Sequence, residues 1–319
     1  MTDPKNPPEP LLPYSRDIVF NPQISTIARD PIPEPTEAGM PFYYASFVGI
    51  WVYWLADLDA VAPHFSRGDF QPYVFRDHSN CDKALVVINF QTYTNHAGMA
   101  LGTVNEVEFN ICCYPTVDAG RVPMGLSVND FLMGVDQTKR IGLLRIHVPA
   151  DNTIAIAAGQ DFFGEPKFYA QFQYEIPCYN LPGRKKWDVA VYDKNADLNA
   201  KGGPADEHLI FRMHVPKIKA VPAWANTSPL ALYTYVDGIP NGSHWQMLLP
   251  MENYCPLGKK LAHKVTIEAG GSNAGIMPGV METSMADDVR NLIGDSKPVG
   301  IQVFRSQPAC IEGGPFDVR

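Results

Sequence analysis

The chain has 319 residues, a formal net charge of −8 and 45% hydrophobic residues, which is typical of a globular protein with enough apolar side chains for a core. The negative charge argues against nucleic-acid binding, since the phosphate backbone is held by Lys and Arg. The longest apolar run, Phe42–Ala56, has 15 residues, and a membrane-spanning helix needs about 20. The sequence therefore predicts a protein with neither nucleic-acid nor membrane partners.

The N-terminal segment is unusually rich in proline: residues 1–41 contain 10 of the 29 prolines. Proline fixes φ and cannot donate a backbone hydrogen bond, so we expect an extended arm. Such an arm serves packing or assembly, which favours a homo-oligomer. Residues 42–319 are expected to form a single domain. The first residues do not resemble a signal peptide, and the six cysteines form no CxxC pair. We therefore expect reduced thiols in a cytoplasmic protein.

Beyond residue 41 the sequence favours β-structure, because segments rich in Val, Ile, Tyr and Phe alternate with clusters of Gly, Pro, Asn and Asp. The predicted strands are 43–55, 84–93, 105–114, 141–148, 153–158, 168–177, 187–193, 208–215, 230–236, 263–268 and 298–305. Three short helices are predicted, over 57–62, within 125–137 and over 284–293. This pattern indicates a mainly β (α+β) fold: a large antiparallel closed sheet that resembles a barrel, with a cavity and few helices.

The common catalytic signatures are missing from the sequence. There is no GxxxxGK[ST] loop, no GxGxxG before a helix, no HExxH and no GxSxG. The eight histidines are scattered, whereas a zinc or iron site needs two or three ligands that converge on one point. A metal-dependent enzyme stays a weak alternative, and we expect neither a metal nor a cofactor.

One lysine has unusual neighbours. Lys167 lies among four aromatic residues, Phe162, Phe163, Phe168 and Tyr169. A lysine in such a place can bury its stem and expose its ammonium group, with no function. Alternatively, the aromatic rings exclude water and favour the neutral amine, which can attack a ketone and form an imine.

The segment around this lysine resembles the acetoacetate decarboxylase family. The matching run is Gly-Gln-Asp-Phe-Phe-Gly-Glu-Pro-Lys at residues 159–167, and the resemblance implies that Lys167 forms the Schiff base with a keto acid. A second run, Leu-Gly-Thr-Val-Asn-Glu at 101–106, is similar to a family motif whose glutamate lies in the active site, which here is Glu106. A third, Asp-Leu-Asp-Ala-Val at 57–61, is similar to a short helix after the first long strand.

The sequence departs from the family at three polar positions. The lysine that follows the Schiff-base lysine is replaced by Phe168, a second active-site glutamate by Gln91, and an arginine of the first long strand by a residue near Phe47. The resemblance therefore implies that Gln91 and Phe47 contact the substrate. The four aromatic residues around the lysine are predicted to contact it as well: Phe162, Phe163, Phe168 and Tyr169. These neutral replacements suggest a larger or less charged substrate than acetoacetate.

The favoured hypothesis is a lyase that binds a small carbonyl compound as an imine on Lys167, with Glu106 as the proton shuttle. Decarboxylation of a β-keto acid is the leading reaction. An imine-dependent aldolase or dehydratase is the first alternative. A non-enzymatic barrel that binds a hydrophobic ligand, with Lys167 as a counter-ion, is the second.

Overall fold

The computed structural model describes residues 42–96, 103–177, 183–247, 251–306 and 309–317. The predicted N-terminal arm lies outside these residues, so its role in assembly stays a prediction. The strands in chain order are β1 Phe42–Ala56, β2 Phe70–Pro72, β3 Val74–Arg76, β4 Asp82–His96, β5 Thr103–Pro115, β6 Gly142–Ala150, β7 Lys167–Glu175, β8 Trp187–Asp193, β9 Leu209–Val215, β10 Ala223–Ala225, β11 Leu230–Val236, β12 Ile239–Met247, β13 Met251–Tyr254, β14 Thr266–Ala269, β15 Gly300–Ser306 and β16 Ala309–Asp317.

The helices are short. They are α1 Leu58–Val61, α2 Val128–Met133, α3 Thr153–Phe163, α4 Lys259–Ala262 and α5 Met285–Asp288, and α5 continues as a π-helical turn over Val289–Ile293. Single 3₁₀ turns cover Ala62–Phe65, Thr116–Asp118 and Asp206–His208. None of the helices in the described part of the chain is long and apolar enough to cross a membrane.

The strands form one large mixed sheet in the order β10-β13-β15-β1-β16-β12-β11-β6-β7-β8-β9-β14, and β4 and β5 also connect β1 to β6. Strand β6 pairs in parallel with both β7 and β11. The prediction of a mainly β fold with few short helices is confirmed. The prediction of one closed antiparallel sheet is wrong as a description of the whole sheet, because β6 pairs in parallel with β7 and β11. In addition, among the described residues the strand order ends at the edge strands β10 and β14.

Both faces of the central strands are buried. Alternate residues of β1 and β4 contribute to a core on one side, here called face A, which contains Phe47, Trp51, Tyr53, Leu85, Val87, Tyr93, Leu143, Leu232 and Phe304. The residues between them contribute to a second core on the other side, face B, which contains Ile50, Val52, Trp54, Val86, Phe90, Phe109, Trp187, Met285 and Leu292. Burial on both faces explains why β1 is a continuous apolar run.

The segment 153–158, predicted as a strand, is the start of helix α3. A short apolar run does not distinguish a strand from a buried helix. The deciding signal is Asn152, whose side-chain oxygen accepts hydrogen bonds from the backbone N–H groups of Ile154 and Ala155 at 3.0 and 3.1 Å and so caps the helix. The helix predicted within 125–137 is confirmed as α2, and the structure shows that Ser127 and Asp130 form a reciprocal capping box at its start.

Six observed strands, β2, β3, β10, β12, β13 and β16, were not predicted. Strands β2, β3 and β10 have three residues each, too few to give a periodic pattern. Strands β12 and β16 contain Pro240, Gly242, Gly313, Gly314 and Pro315, which usually indicate turns. Their pairing partners along the sheet, rather than local propensity, hold these segments extended.

Candidate active site

The junction between α3 and β7 positions Lys167. Helix α3 ends at Gly164, which has a φ of 62°, a left-handed conformation that glycine adopts without strain. The chain then turns through Glu165 and Pro166 and enters β7 at Lys167. The side-chain amide of Gln160 donates a 2.8 Å hydrogen bond to the backbone carbonyl of Lys167, so the last turn of the helix and the first residue of the strand are linked.

Gly159 leaves the space that the lysine side chain occupies. A Cβ atom at this position would lie 2.4 Å from Glu165 Oε2 and 2.6 Å from Lys167 Cδ. Both distances are far shorter than a van der Waals contact. The stem of Lys167 and the carboxylate of Glu165 therefore pack directly against the backbone of α3, and any larger residue at position 159 would displace them.

The amine of Lys167 is buried, and the residue is 6% exposed. Its Nζ donates hydrogen bonds to Glu106 Oε2 at 2.8 Å and to the carbonyl oxygen of Ala155 at 3.3 Å. Glu165 Oε2 lies 3.0 Å away, which is an ion-pair distance without the geometry of a hydrogen bond. Two carboxylates therefore flank one buried amine.

Glu106 is held by uncharged donors. Glu106 on β5 lies directly opposite Gln91 on β4 in the sheet. The side-chain Nε2 of Gln91 donates a hydrogen bond to Glu106 Oε1 at 2.8 Å. The hydroxyl of Tyr93 donates to Glu106 Oε2 at 3.2 Å. The structure thus brings the sequence-predicted residues Lys167, Glu106 and Gln91 into one hydrogen-bonded chain, with Tyr93 as an additional member.

Glu165 and Glu108 share a cation that sequence analysis missed. Arg145 Nη2 donates to Glu108 Oε1 at 2.9 Å, and Arg145 Nη1 forms an ion pair with Glu165. The guanidinium also lies 5.3 Å from the ring centre of Trp245, a cation–π distance. Negative and positive groups therefore alternate across the site, from Glu108 through Arg145, Glu165 and Lys167 to Glu106.

A sequence signal for these polar groups existed. Strand β5 is buried along nearly its whole length, yet Glu106, Glu108 and Asn110 recur every second residue. Polar residues at alternate positions of a buried strand lie on one face and must be paired. This pattern predicts a buried polar cluster, although it does not identify Arg145 as the partner.

The aromatic residues predicted to contact the substrate are placed differently from one another. Phe47 stacks on Tyr93 with ring centres 5.7 Å apart. It therefore packs against a residue that donates a hydrogen bond to Glu106. Phe163 packs against Trp245 at 5.0 Å, and the buried Phe162 packs beside Phe163 at 6.4 Å. Through Tyr93 and Trp245, these rings contact residues that bind members of the polar cluster.

The two aromatic residues that follow the lysine are not brought to its amine. Phe168 packs against the core of face B, and its ring lies 6.5 Å from that of His147. Successive residues of a strand point to opposite faces, which explains why Phe168 and Lys167 separate. Tyr169 is 42% exposed, so it lies at the surface and does not seal the site.

A second buried ionic network lies beside the core of face B. His147 Nε2 lies 2.7 Å from Asp288 Oδ2, the hydroxyl of Thr283 donates to the same oxygen at 2.8 Å, and His64 Nε2 lies 3.4 Å from Asp288 Oδ1. Burial lowers the pKa of His147. Burial alone would raise the pKa of Asp288, but the hydrogen bonds from the two histidines hold it well below its ordinary value.

No group of three or more His, Cys, Asp or Glu side chains that could hold a metal ion occurs within the described residues.

No protein-family model and no curated protein matches this sequence. Solved structures do match. One acetoacetate decarboxylase structure aligns with a TM-score of 0.51 at 12% identity, over 92% of this chain and 97% of the other. The acetoacetate decarboxylase of Legionella pneumophila aligns with a TM-score of 0.50 at 10% identity, over 87% of each chain.

A third similar structure is the enduracididine biosynthesis enzyme MppR complexed with pyruvate. It aligns with a TM-score of 0.50 at 14% identity, over 89% of this chain and 94% of that one. Identities this low establish the fold and not the reaction. The chain has the fold of acetoacetate decarboxylase, as the resemblance of its Pro-Lys segment predicted.

Proposed function

We propose that this protein is an enzyme that forms an imine between Lys167 and a carbonyl substrate and then cleaves a bond between the α-carbon and one of its substituents. The observation that carries the proposal is the buried Lys167 amine, which lies 2.8 Å from the carboxylate of Glu106. A lysine nucleophile in a dry site with a carboxylate in hydrogen-bond reach has the components that imine formation requires.

Glu106 is the proposed proton shuttle. It accepts a proton from the Lys167 ammonium, which frees the lone pair for attack, and returns protons to the carbonyl oxygen as it leaves as water. The hydrogen bonds from Gln91 and Tyr93 fix its orientation and remain compatible with a protonated carboxyl group, because neither donor carries a charge. A positioned carboxyl of this kind contributes about 10²–10⁴-fold to rate.

The iminium ion withdraws electrons from the neighbouring bond. The iminium ion formed from a β-keto acid would lose CO₂ from its α-carbon, and we propose this decarboxylation as the leading reaction. The fold accommodates small keto acids, since a protein of the same fold, MppR, has pyruvate bound.

One observation favours the alternative of an aldolase or dehydratase that acts on a less charged carbonyl compound. Arg145 already binds both Glu108 and Glu165, so this guanidinium is occupied before any substrate carboxylate arrives. The five ionised groups of the cluster, which are three carboxylates and two cations, carry one net negative charge. That charge disfavours an anionic substrate.

The test is intact-protein mass spectrometry after borohydride reduction in the presence of acetoacetate, pyruvate, acetone and a set of neutral aldehydes. We expect a reduced adduct on the wild-type protein whose mass identifies the accepted carbonyl class. An acetoacetate adduct whose mass shows the loss of CO₂, and so equals that of the acetone adduct, supports the decarboxylase. Adducts confined to neutral aldehydes support the less charged substrate.

The matched control is Lys167→Met, which keeps the volume of the lysine stem without the amine. We expect it to fold and to give no adduct, and turnover of any substrate found should fall to background in this variant. A folded wild-type protein that gives no adduct with any of these compounds would contradict imine chemistry with them and favour a non-enzymatic protein that binds a hydrophobic ligand.

A further inference from the structure

The two carboxylates that flank the Lys167 amine differ in their other partners. Glu106 is bound by the neutral amide of Gln91 and the neutral hydroxyl of Tyr93. Glu165 is bound by Arg145, whose guanidinium does not lose its proton in proteins. Glu106 can therefore gain a proton without leaving a cation unpaired, whereas protonation of Glu165 would leave Arg145 with Glu108 alone.

Glu165 is also fixed in place by its surroundings. Its residue is 4% exposed, its backbone N–H donates to the carbonyl of Gly159 at 3.1 Å, and its carboxylate fills the space that a side chain at position 159 would occupy. The carboxylate is therefore a fixed anion 3.0 Å from the reacting nitrogen.

We propose that Glu165 is a second catalytic carboxylate, which keeps the nitrogen of the Lys167 imine in its cationic form while Glu106 transfers the protons. The inference rests on the proposed function and assigns a separate role to each carboxylate. Two carboxyl groups with different neighbours can divide an acid–base role and an electrostatic role between them. Arg145 is a positioning residue in this scheme, because it acts through Glu165.

The proton balance of imine formation shows why a fixed anion matters. The Lys167 ammonium has three protons. One passes through Glu106 to the carbonyl oxygen as the C–N bond forms, and a second follows as the C–O bond breaks and water leaves. The third stays on nitrogen, so the product is an iminium cation. If that last proton is lost, a neutral imine remains, which is a much weaker electron acceptor for the step that follows. The anion of Glu165 opposes this loss.

The pH at which the imine nitrogen loses its proton depends on the charged groups that face it from the neighbouring strands and turns. The charged or titratable groups of this cluster are Tyr93 of β4, Glu106 and Glu108 of β5, Arg145 of β6 and Glu165 between α3 and β7. Of these, Glu106 and Glu165 have oxygens within hydrogen-bond or ion-pair distance of Nζ, so their amide variants separate the two roles.

The experiment is α-proton exchange of acetone and of pyruvate in D₂O, followed by NMR across pH, since an iminium acidifies the protons on the adjacent carbon. We expect Glu165→Gln to move the alkaline limb of the rate profile to lower pH by about one unit or more, as expected when an opposite charge within about 4–6 Å is removed. We expect Glu106→Gln to lower the rate maximum itself by at least about tenfold, in addition to a shift of that limb from the loss of its own charge.

The control is Glu207→Gln, because the side chain of Glu207 is 79% exposed and its loss should leave rate and profile unchanged. Glu165→Asp keeps a negative charge for Arg145 but places it one methylene farther from the nitrogen. This variant should therefore fold and shift the alkaline limb of the rate profile in the same direction by a smaller amount. This second variant tests the proposal even if the amide variant does not fold.

The two proposals fail in different ways. Exchange by the wild-type protein that does not exceed that of Lys167→Met would overturn imine chemistry itself and this inference with it. Wild-type exchange with an unmoved alkaline limb in both Glu165 variants would overturn only the role of Glu165 and leave imine formation on Lys167 in place.

Discussion

The protein contains two buried ionic networks, one around Lys167 and one around Asp288, and they differ in how their carboxylates are used. In the second network both oxygens of Asp288 face donors, from His147 and Thr283 on one side and His64 on the other. In the first, two carboxylates face a single amine. A carboxylate surrounded by donors is typical of a structural role, whereas an amine between two acceptors can exchange protons.

This difference teaches that burial of charge does not by itself indicate a catalytic site. Both networks are buried and lie next to apolar cores, and both would be costly to break. What separates them is whether a nucleophile is present and whether a neighbouring group can accept its proton. Only the Lys167 network meets both conditions, so substitutions in the two networks should affect different properties.

The largest effect is expected from Gly159→Ala, which acts on the Lys167 network through space alone. The added methyl group would overlap Lys167 Cδ and Glu165 Oε2, and a displacement of about 1 Å in a reacting group can cost about 10²-fold in rate. We expect the yield of borohydride-trapped adduct to fall by about a hundredfold and the free energy of unfolding to fall by about 1–3 kcal/mol.

Gly120→Ala is the control for this substitution, because a Cβ atom at Gly120 meets no atom within 4 Å. Adduct yield and the urea midpoint of unfolding should both stay at the wild-type values there. An unchanged adduct yield in Gly159→Ala would mean that the observed position of the lysine stem does not matter for the reaction.

An intermediate effect is expected from Glu106→Gln. The amide keeps the size of the side chain but cannot accept the proton of Lys167, so the rate of adduct formation should fall by at least about tenfold. Stopped-time borohydride quenching measures this rate. The control is Glu268→Gln, which removes an exposed carboxylate from strand β14 and should leave the rate of adduct formation unchanged. A rate of adduct formation equal to that of the wild-type protein would remove Glu106 from its proposed role.

The smallest effect on the reaction is expected from His147→Gln, which changes the Asp288 network. Loss of the hydrogen bond to a charged partner should lower the free energy of unfolding by about 2 kcal/mol. Adduct formation should stay within about twofold of the wild-type rate, since the variant does not touch the groups that bind Lys167. A tenfold loss of adduct would show that the two networks are coupled.

The same variant tests the acid sensitivity of the fold. Burial lowers the pKa of His147 in the folded protein. Below the ordinary histidine pKa of about 6.5, the unfolded chain therefore binds a proton at this residue more readily than the folded protein does. The pKa of Asp288 is also held down, so the stability that it contributes is present above about pH 4 and lost as pH falls further. Stability should therefore decline from about pH 7 to about pH 5, and less steeply in His147→Gln. His78→Gln, at an exposed histidine, should retain the full decline in urea unfolding.

Much of the fold could be predicted from the sequence, because long strands produce strong local patterns. The predicted strands 187–193 and 230–236 coincide with β8 and β11. Segment 153–158 was predicted as a strand and is helical, since its apolar run matches both structures and the capping role of Asn152 was overlooked. The open edges of the sheet could not be predicted, because strand order depends on contacts between distant segments.

The candidate site could be predicted in part. The Pro-Lys segment identified Lys167, and the resemblance pointed to Glu106 and Gln91, which the structure joins by hydrogen bonds. Arg145 was missed because its partners lie 37 residues away at Glu108 and in the turn before β7 at Glu165. The expectation that Phe168 and Tyr169 surround the amine was wrong for two reasons: the alternation of side chains along β7 turns Phe168 to the opposite face, and Tyr169 is exposed at the surface.

The sequence by itself determined the β-rich character, the capped α2 helix and the reactive-lysine candidate, because each depends on residue types at short spacing. Only the tertiary structure decided which carboxylates meet that lysine, which of them is paired with an arginine and which network holds no nucleophile. Those choices depend on strand register, since a shift of one residue would turn Glu106 and Glu108 to the opposite face of the sheet.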